Sequence, residues 1–374
     1  MSVEQIRDNI IGSARTIVVK VGTALLTRAD GRLDRRLIRA IAGQVARLRK
    51  NGIDITLVSS GAIGAGMGVV RLKHRPKSVP MLQAAASVGQ PALMALFEDA
   101  FKQHQLHAAQ VLLTRGDFEH RGRYLNIRNT IAALHELSAV PIINENDSVS
   151  VDEIRFGDND LIAAYTTNLL RADLMILLTV MDGLMDADGR RVEVVRGIDK
   201  RVMELVTAER SALGSGGMAT KLEAAKTVTE AGEVALIANG RSRDVLMRIC
   251  AGEPLGTLFL PSTRKLSARK RWIGLTVRPA GTITVDAGAA KALHRGGKSL
   301  LAIGIVRVSG RFQRGDVVEV LDPSGGLVGR GLSNYGARDT GAVKGLRSTQ
   351  FAAVLGDKPY DEIIHRDNFV VAAP

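Results

Sequence analysis

TIVVKVGTALLT, Thr16 to Thr27, opens with a mostly β-branched run closed by a glycine. Such a run reads as a buried strand, with one charged residue, Lys20, near its end. The pattern returns in DITLVSSG, AAQVLLTRGD, AVPIINEND, LMILLTVMDG and VALIANG, each ending in small or polar residues. Between the first two runs, Leu37, Ile38, Ile41, Val45 and Leu48 recur at helical spacing, with Asp34 placed as N-cap and Gly52 just past the end. Strands alternating with helices predict an α/β fold, a mostly parallel open sheet sandwiched by helices. In such sheets ligands bind outside the carboxyl ends of the strands. That rule singles out Lys20, Ser60, Asn144 to Asp147 and the later stretch GSGGMATKLEAA, Gly214 to Ala225.

After Pro261 the texture changes. GTITVD, SLLAIGIVRVSG, DVVEVLD and GLVGRGLSNY are short strand-like pieces with turns at Asp322-Pro323 and Ser324-Gly325-Gly326, which predict a small β-rich domain. The net charge of +13 is uneven along the chain. Arg264, Lys265, Arg269, Lys270, Arg271 and Arg278 fall within residues 264–279, which contain no acid. We expect residues 1–263 as one domain, 264–279 as a basic linker and 280–374 as the second domain. A solvated linker is the commoner meaning of such a run, and binding to RNA or phosphate the other.

At 374 residues the chain suits one large and one smaller domain. Its single cysteine, Cys250, allows no internal disulfide or cysteine zinc site, which fits a reducing, cytoplasmic setting. The N-terminus places charges on both sides of Ile10-Ile11 and resembles no secretory signal. No run approaches the roughly 18 apolar residues of a membrane helix, so no membrane partner is expected.

Four motifs carry candidate chemistry. Lys20 ends an apolar strand, an unusual place for a lysine unless it snorkels to the rim. SSGAIGAGMG, Ser59 to Gly68, offers amides to an anion, though three of its glycines can equally serve close helix packing. NEND, Asn144 to Asp147, and GDND, Gly157 to Asp160, bring three amides and the carboxylates Glu145, Asp147, Asp158 and Asp160 around one loop. Carboxylates grip an ammonium and amides grip a carboxylate, so the pair suits a zwitterion; carboxylates also suit Mg²⁺. Lastly, GSGGMATK precedes a helical pattern but not with Walker spacing. Its amides lie at a helix N-terminus and Lys221 falls in the first turns, so Lys20 and Lys221 can flank one phosphoryl group. The seven histidines show no HExxH spacing.

VVKVGTALLT, SSGAIGAG, RGRYLNIRNT, PIINENDSV, FGDND and GSGGMATKLEAA, in this order and spacing, resemble the amino acid kinase family, in particular its glutamate-phosphorylating members with a C-terminal PUA domain. The resemblance covers nearly the whole chain. It implies ATP and Mg²⁺ as cofactors and L-glutamate as acceptor, giving L-glutamyl 5-phosphate. It implies catalytic roles for Lys20, Lys221 and Asp160, and glutamate binding by Ser60, Asn144, Asp147 and Asn159. Nucleotide binding falls to Lys20, Thr179, Val180, Ser215, Gly216, Gly217, Met218, Ala219, Thr220 and Lys221; no metal ligand is assigned. One departure stands out: where the family has Thr/Ser-Asp, Thr179 is followed by Val180 and Met181, with Asp182 further along.

The resemblance further implies inhibition by proline, with RGRYLNIRNT in the regulatory loop region, and a homo-oligomer, either dimer or tetramer. A glutamyl-phosphate reductase is an expected partner, and RNA another through the PUA-like domain, since PUA modules often bind RNA. Two alternatives stay open: a related kinase acting on aspartate, N-acetylglutamate, carbamate or a nucleoside monophosphate, and an RNA-binding protein. The low aromatic content, 3%, counts against base stacking as the main activity.

Overall fold

A computed structural model describes residues 3–28, 32–150, 159–207, 217–261, 266–357 and 359–372. The chain divides into two compact units, Met1–Lys265 and Leu266–Pro374.

The first unit is built on eight strands: β1 (Thr16–Val21), β2 (Asp54–Ser59), β3 (His107–Leu113), β4 (Ala139–Glu145), β5 (Leu174–Thr179), β6 (Val194–Arg196), β7 (Val234–Asn239) and β8 (Thr257–Leu260). They lie in the order β3-β4-β2-β1-β5-β7-β8-β6, and every pairing is parallel except β7 with β8. The two short strands β6 and β8 have no counterpart among the runs that mark the other six. Three or four residues are too few to show a period.

Alternation along β1 decides what each face receives. Ile17, Val19 and Val21 enter a core shared with the helices Arg35–Lys50, Val79–Lys102 and Val245–Cys250. Val18 and Lys20 therefore face the other side, where the helices Asn159–Leu170 and Met218–Glu230 pack. The helix Arg35–Lys50 begins as its sequence predicts, the Asp34 carboxylate accepting from the amides of Arg36 and Leu37. It ends in Gly52, whose φ of 76° lies in the left-handed region.

Two further helices meet at backbone distance. A β-carbon added to Gly66, in Ala62–Val69, would stand 1.7 Å from the Ala85 carbonyl oxygen; one at Gly89, in Val79–Lys102, would stand 1.9 Å from that of Ala62. For Gly66, close helix packing is thus what the motif SSGAIGAGMG provides. RGRYLNIRNT is not a loop: it forms most of the helix Arg121–Glu136, with Tyr124 and Ile131 buried.

The second unit holds β9 (Gly281–Val285), β10 (Ile305–Gly310), β11 (Val317–Leu321), β12 (Leu327–Leu332) and β13 (Phe369–Val371), in the order β10-β9-β11-β12-β13. Only β9 and β11 pair in parallel. The segment expected as a linker, 264–279, is folded over much of its length. The short helix Ala268–Arg271 and the wide π-turn Trp272–Thr276 belong to this unit, with Arg271, Trp272, Ile273 and Thr276 buried. Charge counting misled here because Arg271 turns inward, its Nε donating to the Leu266 carbonyl at 2.9 Å.

Candidate active site

The carboxyl ends of β1, β2, β4, β5 and β7 carry the polar residues that the sequence offered. Lys20 is penultimate in β1, in register with Val58 of β2 and Leu177 of β5, so neighbouring strands enclose it on both sides. Asp160 stands in the first turn of Asn159–Leu170, where the helix's positive end favours a carboxylate. Lys221 rises from the start of Met218–Glu230.

These three side chains form one buried cluster. Lys20 Nζ lies 2.7 Å from Asp160 Oδ1, and Lys221 Nζ lies 3.1 Å from Oδ2. Each oxygen of one carboxylate therefore holds one ammonium, leaving a net single positive charge among the three. Burial pushes the Asp160 carboxyl up, but the ammonium groups of Lys20 and Lys221 outweigh it and hold the pKa at about 2. The Thr220 hydroxyl lies 3.0 Å from Asp160 Oδ2 and from the Gly217 carbonyl oxygen, tying the carboxylate to the start of the second helix. The sequence placed Thr220 in the nucleotide loop and did not suggest this contact.

Beside the cluster runs a chain of amides. Asn159 Nδ2 reaches the Ser59 carbonyl at 3.1 Å, Ser60 Oγ at 3.0 Å and Asn144 Oδ1 at 3.1 Å. Asn144 Oδ1 also accepts from the Glu145 amide at 2.9 Å, while Asn144 Nδ2 donates to Gln90 Oε1 at 2.7 Å. Ser60, Asn144 and Asn159, named from three separate motifs, thus meet in one network. Because Asp160 is the next residue after Asn159, the network and the cationic cluster share a helix N-terminus. Gln90 was missed; its one signal was a lone amide in an otherwise apolar stretch of helix.

Asp147 is half-buried in the turn after β4. Glu145 is buried at the end of β4. Thr179 ends β5 and its carbonyl accepts from the Gly240 amide, whereas Val180 is 40% exposed. Asp182 is drawn to the neighbouring strand end, its Oδ1 accepting from Asn239 Nδ2 at 2.9 Å. A carboxylate therefore does stand at this edge despite the Val180-Met181 departure. Gly217, Met218, Ala219, Thr220 and Lys221 open the helix as anticipated, with Gly217 as N-cap. Ser215, Gly216, Gly157 and Asp158 lie outside the described residues. Among the described residues no group of three or more His, Cys, Asp or Glu side chains could hold a metal ion.

Comparison with known proteins follows the same division of the chain. The model of the amino acid kinase family matches residues 15–239, and that of the PUA domain matches 281–355. A glutamate 5-kinase of Nitrosospira multiformis is 45% identical over 97% of this chain and 100% of its own length. One from Geobacter sulfurreducens is 45% identical over 98% and 100% respectively. Among solved structures, a carbamate kinase from Giardia lamblia bound to AMP-PNP aligns with a TM-score of 0.46 at 15% identity, covering 67% of this chain and 99% of that one.

Proposed function

Because this chain belongs to the amino acid kinase family and carries a PUA domain, we propose that it transfers the γ-phosphoryl group of ATP to the side-chain carboxylate of L-glutamate. The product is L-glutamyl 5-phosphate and the step opens proline biosynthesis. The observation that carries the reading is the pairing of Lys20 and Lys221 on Asp160, directly beside the Ser60–Asn159–Asn144 network. The relatives named glutamate 5-kinase, similar over nearly their full length, point to the acceptor.

The chemistry explains why no general base is needed. A glutamate side chain has a free pKa of roughly 4.3 and is already a nucleophile at neutral pH. The obstacle is repulsion between an anionic acceptor and an anionic phosphoryl group. Positive charge and positioning must remove it. Lys20 and Lys221 supply the charge and are kept from straying by Asp160, whose ionised state is secured down to about pH 2. The N-terminus of Met218–Glu230 adds backbone amides for phosphate oxygens. In this reading Ser60, Asn144, Asp147 and Asn159 hold glutamate, and Thr179, Val180 and residues 215–221 line the nucleotide. Mg²⁺ bound together with ATP would supply further neutralisation of the phosphate charge.

The proposal extends to feedback by proline, to action in the cytoplasm as a dimer or tetramer, and to delivery of the labile product to a reductase. The RNA alternative draws on the PUA match and the basic charge. Retention on RNA that falls steeply with salt would favour it.

A hydroxylamine trap tests the reaction. With ATP and Mg²⁺, glutamate should give acyl hydroxamate, while aspartate and N-acetylglutamate should give little. ADP release without hydroxamate from glutamate would overturn the assigned acceptor. Proline titrated at several glutamate concentrations should lower the initial rate, and rates unaffected at every concentration would remove the feedback.

A further inference from the structure

Gln90 belongs to the site's hydrogen-bond network yet has no part in the roles above. Gln90 sits within the helix Val79–Lys102, 7% exposed and followed by Pro91. It accepts from Asn144 Nδ2 and so, together with the Glu145 amide on Oδ1, holds Asn144 from both ends with Oδ1 turned to Asn159. Asn159 then faces three acceptors, Asn144 Oδ1, Ser60 Oγ and the Ser59 carbonyl, with only two N–H groups on its amide. Its donors are committed. Asn159 Oδ1 is left as a buried acceptor with no partner among the described residues. Were Asn144 displaced, Asn159 would lose one acceptor and keep only Ser60 Oγ and the Ser59 carbonyl to hold it.

We propose that Gln90 is a positioning residue that anchors Asn144 and, through it, Asn159, so that Asn159 Oδ1 is held in place as an acceptor for the substrate's α-ammonium group. The inference rests on the acceptor being a free amino acid, and it deepens that reading into a specificity: an unblocked amine is selected and an N-acylated one is not. The hydrogen bonds join Gln90 to Asn159 by way of Asn144. A buried donor that loses its acceptor is expensive, so the orientation of Asn144 weakens once Gln90 can no longer accept.

The test compares Q90M, which has similar length and no acceptor oxygen, with Q90E, which keeps the acceptor. Steady-state rates are measured with glutamate, with N-acetylglutamate and with ATP varied. Q90M should raise KM for glutamate roughly five- to tenfold, leave KM for ATP and kcat within about twofold, and narrow the preference for glutamate over N-acetylglutamate. Q90E should restore KM for glutamate to within about twofold of the parent. An unchanged glutamate KM in Q90M overturns the proposal, as does a parallel loss of kcat and of both substrate affinities in the two variants. Q90L, likewise without an acceptor, repeats the comparison if Q90M is not recovered folded. A parent enzyme that makes no hydroxamate from glutamate would instead refute the assigned acceptor, so the two failures read differently.

Discussion

Replacing Asp160 by Asn removes the negative charge between Lys20 and Lys221 at nearly constant volume. In the fold the carboxyl titrates at about 2, against 3.8 when free of its surroundings. A difference of nearly two units, at about 1.4 kcal/mol per unit, amounts to about 2 kcal/mol of stability at neutral pH. Removing one partner of a buried pair costs about 3–5 kcal/mol where nothing else compensates, so about 2–4 kcal/mol is expected for D160N. In a unit of this size that lowers Tm by roughly 5–15 °C. The sign with pH follows from the depressed pKa. The extra stability of the parent is complete above about pH 4, shrinks as pH falls toward 2, and vanishes below. Urea unfolding of parent and variant between pH 7 and pH 3, followed by far-UV circular dichroism, reads the difference. The only tryptophan, Trp272, lies in the second unit, so its fluorescence serves as an internal control that should not shift. A stability gap that stays constant across this range, or no gap at pH 7, would refute the reasoning.

Three further outcomes are expected. K221A should lower kcat by roughly a hundredfold or more while KM for glutamate changes by less than about threefold, since a charge acting on the transferring phosphoryl works mainly in the transition state; near-normal turnover in an initial-rate assay would remove Lys221 from that role. G89A should cost about 2–3 kcal/mol, because its β-carbon falls 1.9 Å from a backbone oxygen and the helices must part; chemical denaturation measures it. G122A, where nothing lies within 4 Å of the new methyl, should instead gain about 0.5–1 kcal/mol from better helix propensity.

The six longer strands of the first unit were legible because each is a largely apolar run, ended by small or polar residues, long enough to declare itself. The helix Arg35–Lys50 was legible because Asp34 and Gly52 punctuate it. β6, β8 and β13 were not, since strands of three or four residues are made by their neighbours rather than by their own pattern. In the site, the approach of Lys20 and Lys221 could be anticipated from strand-end position and motif order, and the place of Asp160 beside them from the family resemblance. Their attachment to the two oxygens of one carboxylate could not, because it depends on how two helices cross one sheet face. Gln90 escaped for a related reason: nothing in its local sequence says which side of a long helix meets Asn144. RGRYLNIRNT was expected in a loop region only from the family resemblance; in the fold it is helical, with Tyr124 and Ile131 buried.

The backbone-distance crossing at Gly66 and Gly89 also limits how this pocket could be re-engineered. Gly89 adjoins Gln90, and Ala62, whose carbonyl it meets, is two residues beyond Ser60. The two walls that present Ser60 and Gln90 are thus joined without an intervening side chain, and no side-chain truncation at their crossing can create slack. A larger amino acid cannot be admitted by letting these helices drift apart. In the proposed amino-acid pocket, room for it has to come from elsewhere in the lining, such as the turn after β4, so directed evolution toward bulkier acceptors should accumulate its changes there.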